Sequence, residues 1–150
     1  MIELCPIICR EGAIAILTIL RDAGFETYFA GGCVRDRLLS AAPTEYDIAT
    51  SARPEEIKKL FPKARSVGEA FGVMLVRSHD IMYDVATFRS DGPYSDSRHP
   101  DNIQFSTAKE DAQRRDFTIN GIFEDPIANV LIDYVGGEQD LELRLVRAIG

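Results

Sequence analysis

Apolar residues recur at helical spacing over residues 7–23, and Gly24 falls where a helix C-terminus favours glycine. A first strand is predicted over 26–30, broken by Gly31-Gly32 before residues 34–39 resume helical spacing. A second strand is predicted from Glu45 through Asp47 to Thr50, after which Thr50 or Ser51 can cap a short helix that has Pro54 in its first turn and ends at Pro62. Residues 73–77 and 82–88, apolar or alternating on either side of Ser-His-Asp, predict an antiparallel hairpin. Residues 90–102, rich in Gly, Pro, Ser and Asp, predict a long functional loop, and 103–105 a further strand. Residues 108–120 predict a helix running into a polar junction. A strand over 131–135 is closed by Gly136-Gly137, and a short helix over 139–143 precedes an extended end over 145–149. Strands, a hairpin and flanking helices together predict an α/β (α+β) fold on a mixed, mainly antiparallel sheet.

Composition narrows the class. The 150 residues are 45% hydrophobic and 27% charged, which predicts one globular domain over 1–150 with a core of its own. No apolar run approaches the ~20 residues of a membrane span, and the first residues lack the pattern of a signal peptide, so no membrane partner and a cytoplasmic location are expected. Cys5, Cys9 and Cys33 form an odd set with no framework spacing, and with only His79 and His99 beside them a zinc site is disfavoured. His79 is expected at the solvated hairpin tip. The net charge of −7 argues against this domain gripping a long nucleic acid unaided. Its basic residues are nevertheless concentrated: Arg35, Arg37, Arg89, Arg98, Arg114 and Arg115 lie in or beside the motifs below, a local patch suited to a triphosphate.

The chemistry-bearing residues fall into three groups. The turn at Gly31-Gly32, opening a helix that carries Arg35, directs backbone N–H groups and a guanidinium at one point, as a phosphate requires. Glu45 and Asp47, two apart in a strand, share a face and suffice to hold one Mg²⁺, an ion that retains waters and substrate phosphates. Asp84, on a strand able to neighbour that one, supplies a third acid to orient or deprotonate an attacking hydroxyl. Finally, Arg114, Arg115, Asp116 and Asn120 surround Phe117 and Ile119, where polar groups beside apolar ones need partners, and a triphosphate is one. Each group has a plainer reading: an ordinary strand-to-helix turn, a solvated strand face, an arginine–aspartate surface network worth about a kcal/mol or less.

In this order the motifs resemble the head domain of the bacterial-type (class II) tRNA nucleotidyltransferase and poly(A) polymerase family, within the DNA polymerase beta nucleotidyltransferase superfamily. The resemblance rests on Gly31-Gly32-Cys33-Val34-Arg35-Asp36, Glu45-Tyr46-Asp47-Ile48-Ala49-Thr50, Ala52-Arg53-Pro54-Glu55-Glu56 and Asp84-Val85-Ala86-Thr87-Phe88-Arg89. It continues through Tyr94-Ser95-Asp96-Ser97-Arg98-His99-Pro100, Arg114-Arg115-Asp116-Phe117-Thr118-Ile119-Asn120 and Ile132-Asp133-Tyr134-Val135-Gly136-Gly137. It implies a nucleotidyltransferase head-domain fold with a sheet of about five strands, and transfer of AMP or CMP from ATP or CTP to an RNA 3′-hydroxyl, that of tRNA above all, with release of pyrophosphate. It implies metal binding and catalysis at Glu45 and Asp47 with Asp84 in support. Nucleotide binding is implied at Gly31, Gly32, Arg35, Asp36, Arg114, Arg115, Asp116 and Asn120. Two departures from the family pattern are present. Glu45 stands where the pattern has aspartate, and the chain ends at Gly150 where members continue into neck, body and tail. These departures leave open a weakened or partner-dependent nucleotide-binding module, with a partner chain supplying RNA binding, and a transferase acting on a non-RNA acceptor.

Overall fold

The computed structural model describes residues 5–43, 45–67, 72–91 and 103–149. Helix α1 (Pro6–Asp22) turns Cys9, Ala13, Ile16, Leu17 and Leu20 inward at i, i+3, i+4 spacing, all at most 1% exposed. It ends as predicted, with Gly24 at φ +96° and the N–H of Phe25 donating back to the carbonyl of Leu20. Strand β1 (Thr27–Ala30) then feeds helix α2 (Gly32–Leu38) through Gly31. Strand β2 (Asp47–Thr50) is shorter than predicted and begins after Glu45.

Helix α3 (Pro54–Leu60) departs from its predicted cap. Thr50 is claimed by β2, where its hydroxyl shares a buried 2.9 Å hydrogen bond with that of Thr27. The Glu56 carboxylate instead accepts the Arg53 N–H at 3.0 Å. A short β3 (Arg65–Ser66) follows, not predicted, and then the predicted hairpin of β4 (Val73–Ser78) and β5 (Ile81–Thr87). Its two turn residues, His79 and Asp80, have φ of 51° and 61°, the conformation that suits a two-residue hairpin turn, and both are exposed.

Part of the predicted loop is strand: β6 (Arg89–Asp91) pairs with β7 (Ile103–Phe105), setting Ser90 opposite Gln104. The rest of that loop, with Arg98 and His99, lies outside the described residues. Helix α4 (Ala108–Gln113) is capped by the Thr107 hydroxyl, and a 3-10 turn covers Thr118–Asn120. Strand β8 (Ile122–Asp125), not predicted, pairs with β9 (Val130–Asp133) before helix α5 (Gly137–Glu142).

The main sheet has seven strands rather than about five, in the order β3-β4-β5-β2-β1-β8-β9. Every pairing in it is antiparallel except β2 with β5. One face packs on α1 through Phe29, Ile48, Val76, Tyr83, Val85 and Ile122. On the other face, Ala108 and Ala112 of α4 join Ala30, Ala49, Phe88 and Phe123 in a second, smaller cluster. Each fully buried Phe, Ile or Leu contributes about 1.5–3 kcal/mol by leaving water. Because α4 covers the β1 and β8 side of this second face, residues on the β2, β5 and β4 side remain accessible there, Asp47, Asp84 and Met82 among them.

Candidate functional site

Register brings the predicted acids together. Asp47 opens β2 and sits directly opposite Asp84 of β5, and directly opposite residues share a face, so the two carboxylates lie side by side on the face left accessible. Asp47 is also paired with Ala30 on its other flank, which places the Gly31 turn beside it. Glu45 precedes β2, so strand alternation does not align it with Asp47 as the sequence predicts. It reaches the same place through the loop: Glu45, Asp47 and Asp84 line one open cleft of about 310 Å³ with Tyr46, Ile81, Met82 and Tyr83. A larger groove of about 750 Å³, around Phe61 and His79, contains none of the predicted site residues.

The electrostatics follow from this placement. The Asp47 carboxyl is raised above the ordinary carboxylate range, first by partial removal from water, then by Asp84. Arg115 opposes the rise and Glu45 adds to it. Three carboxylates thus stand around one cleft, an arrangement that attracts a cation. Among the described residues, no three His, Cys, Asp or Glu side chains form a complete metal cage. The donor set fits magnesium held by one or two protein carboxylates, with substrate phosphates and water completing its octahedron.

Opposite the acids lies the glycine turn. Gly31 has φ +74° and ψ −141°, a backbone region that only glycine enters without strain. A Cβ there would stand 3.5 Å from Oδ2 of Asp47 and 3.6 Å from Nη1 of Arg115. Gly31, Asp47 and Arg115 therefore converge on one spot. Over Gly32 lies the Arg35 guanidinium, 3.3 Å from where a Cβ would be. Arg35 is held by Asp36, to which its Nε donates at 3.0 Å, and by Asn120, to which its Nη1 donates at 2.9 Å.

Asn120 in turn donates to Asp116 at 3.4 Å, so Arg35, Asp36, Asp116 and Asn120 form one chain of hydrogen bonds across the turn. Phe117 is 37% exposed rather than core, and Asp116 serves the local turn by accepting the Phe117 N–H. The plain surface-network reading thus accounts for Asp116 itself, while Asn120 links it to the glycine turn.

Asp111 was not singled out by the sequence, and it organises the arginine pair. It is 1% exposed, and its two oxygens accept from Arg115 at 3.0 Å, from Arg114 at 3.4 Å and from the Arg89 backbone N–H at 3.0 Å. Its signal was the i, i+3 and i, i+4 spacing to the two arginines at the end of a helix. The Arg115 guanidinium also lies over the Phe123 ring, 5.6 Å from its centre.

Glu124 is a second residue the sequence left unassigned. Buried on β8, it is clasped by Arg37 of α2 and, at 3.7 Å, by Arg10 of α1, which ties the helix carrying Arg35 to the sheet. The Asp133 carboxylate accepts four consecutive N–H groups, from Val135 to Glu138, and caps α5. From α5, Asp140 accepts the Thr118 hydroxyl at 2.7 Å and holds the turn that presents Asn120. The third cysteine is structural: burial pushes the Cys33 thiol up to about 11, too high for a nucleophile at neutral pH.

Comparison with known proteins identifies the family and the fold. The family of the poly A polymerase head domain matches residues 27–147. The CCA-adding enzyme of Geobacillus kaustophilus is 44% identical over 141 residues, 93% of this chain and 35% of that protein. The crystal structure of Bacillus stearothermophilus CCA-adding enzyme in complex with CTP superposes with a TM-score of 0.83 at 36% identity, covering 95% of this chain and 34% of that one. Thermotoga maritima CCA-adding enzyme complexed with tRNA superposes with a TM-score of 0.67 at 26% identity, covering 91% and 32%. The chain spans about a third of the length of these relatives. With its sheet, its glycine turn and its matched residues, the chain belongs to the poly A polymerase head domain family.

Proposed function

We propose that this chain is the catalytic head of a nucleotidyltransferase that moves CMP or AMP from CTP or ATP to the 3′-hydroxyl of an RNA, with tRNA as the acceptor. The observation that carries the reading is the lateral pair Asp47–Asp84 in an open cleft, facing Gly31 and Arg115. Relatives whose structures contain CTP or tRNA support the choice of substrates. A cytoplasmic location suits these substrates.

In the reaction the 3′-oxygen bonds to the α-phosphorus, the bond from that phosphorus to the β-phosphate oxygen breaks, and pyrophosphate leaves. The hydroxyl proton passes to Asp84 or to water. Backbone N–H groups at the start of α2 and the Arg35 fork hold the triphosphate, and Arg115 lies where charge accumulates on the reacting phosphate. Asp47 and Glu45 would hold Mg²⁺, which would supply electrophilic activation of the phosphate and neutralise the leaving group. The protein's own part is position: a displacement near 1 Å can cost ~100-fold in rate. Glu45, with one more methylene than aspartate, reaches the cleft from the loop before β2 and is the point where the rate is expected to be limited.

The test is incorporation of labelled CTP and ATP, with Mg²⁺, onto tRNA lacking its 3′ end. The unmutated chain is expected to incorporate nucleotide and the Asp47→Ala protein to lose at least 100-fold, on the order expected for a metal-binding carboxylate. Equal incorporation by both proteins would remove Asp47 from the reaction, and none by either would leave a nucleotide-binding module.

A further inference from the structure

The face that carries the carboxylates continues past them. Register sets Asp84 opposite Leu75 of β4, and Leu75 opposite Arg65 of β3, so Asp47, Asp84, Leu75 and Arg65 form one row across four strands. Two residues along, on the same face, Met82 stands opposite Arg77. Met82 is 46% exposed, an apolar side chain open to water beside a charged cleft, and Arg65 and Arg77 are exposed too. Among the described residues, Arg77 pairs with the exposed Asp80 at its hairpin tip, at 3.3 Å, a contact of little energetic consequence. Arg65 has no acid within ion-pair distance among the described residues.

Reading outward from the cleft, the order on this face is acid, apolar, basic. With strands about 4.8 Å apart, Arg65 starts about 10 Å from Asp84, and Arg77 starts about 8 Å from Arg65. A single-stranded polynucleotide end has the matching order: a reactive hydroxyl, then sugar and base, then phosphates. We infer that this face of β5, β4 and β3 forms the track for the acceptor strand, with Met82 and Leu75 against its last sugar and base and Arg77 and Arg65 on its phosphates.

This inference rests on the nucleotidyl-transfer reading for the identity of the strand, and it adds the residues that receive it. Charge supports the choice of occupant: the whole chain carries −7, yet this face offers two guanidiniums to a polyanion. The methionine suits a base, since a polarisable sulfur makes favourable contacts with aromatic rings and tolerates any base identity.

The test is fluorescence anisotropy of a labelled single-stranded RNA oligomer ending in CC, titrated with the unmutated chain, Arg65→Ala/Arg77→Ala and Met82→Ala. Thermal melts confirm that each variant is folded. The double arginine variant is expected to bind about tenfold more weakly and to lower the salt slope of log K by about 1.4, or about 0.7 for each single-strand phosphate that is no longer neutralised. Met82→Ala is expected to weaken binding with the salt slope kept. In transfer assays both variants should raise KM for the acceptor, and the double arginine variant should leave KM for CTP in place.

Absence of RNA binding by the unmutated chain, or equal affinity and slope in the folded arginine variant, overturns the track. Failure of transfer by the unmutated chain, with the anisotropy result intact, instead removes the catalytic reading and keeps the strand site.

Discussion

Asp47 lines the cleft with Asp84 beside it, and the folded protein, by partly removing it from water, raises its carboxyl above the ordinary range. Its folded-state pKa therefore exceeds its unfolded one, and the unfolded chain gives up that proton more readily. Ionised Asp47 disfavours the fold; the effect grows as pH rises through the carboxylate range and is fully present at neutral pH. Asp47→Asn is accordingly expected to raise Tm by about 1–3 °C at pH 7, with the gain shrinking in acid, while ending transfer. Melts at pH 7 and pH 3.5 check this, and a variant less stable at pH 7 would contradict it. Added Mg²⁺ should raise the Tm of the unmutated chain and leave that of the variant unchanged.

Asp111 supports the fold. With its carboxylate removed, two partly buried arginines lose their shared acceptor, so Asp111→Ala is expected to cost about 3 kcal/mol in urea denaturation. A cost below about 1 kcal/mol would show that other groups hold the pair.

At the scale of elements, the glycine turn sets the geometry. Gly31→Ala combines a strained positive φ with a new methyl pointing at Asp47 and Arg115, and is expected to cost about 1–3 kcal/mol and to abolish CTP binding. Calorimetric titration with CTP checks it, and unchanged affinity would place the triphosphate elsewhere. The turn itself was legible because paired glycines break an apolar strand before a helical run, but its use was not, since an ordinary strand-to-helix turn has the same pattern.

The hairpin of β4 and β5 was legible from alternation about a three-residue polar connection. Strand β8 was not. All four of its residues are buried or half-buried, and one of them is Glu124, so Ile-Phe-Glu-Asp shows neither alternation nor an apolar run. Its charge is accepted in the interior only because Arg10 and Arg37, more than eighty residues away in sequence, meet it there. Strand β3, two residues long, carries no periodic signal at all.

For the molecule as a whole, the sequence singled out most residues of the candidate site but not how they come together. Parallel pairing of β2 with β5 is what makes Asp47 and Asp84 neighbours, and no local pattern encodes that register. The hydrogen-bond chain from Arg35 through Asn120 likewise spans 85 positions. Topology also bears on how an acidic chain can serve a polyanionic substrate: it brings Arg35 and Arg115 to the glycine turn and sets Arg65 and Arg77 on the outer strands.

Triphosphate and metal are expected to meet between Gly31 and the Asp47–Asp84 pair. A crystal structure of the chain grown with CTP and Mg²⁺ decides whether they do. A cation is expected on the Asp47 carboxylate, with the triphosphate along Gly31, Gly32 and Arg35 and its α-phosphate toward Arg115. A triphosphate bound in the larger groove around Phe61 and His79, with no cation at Asp47, would contradict it.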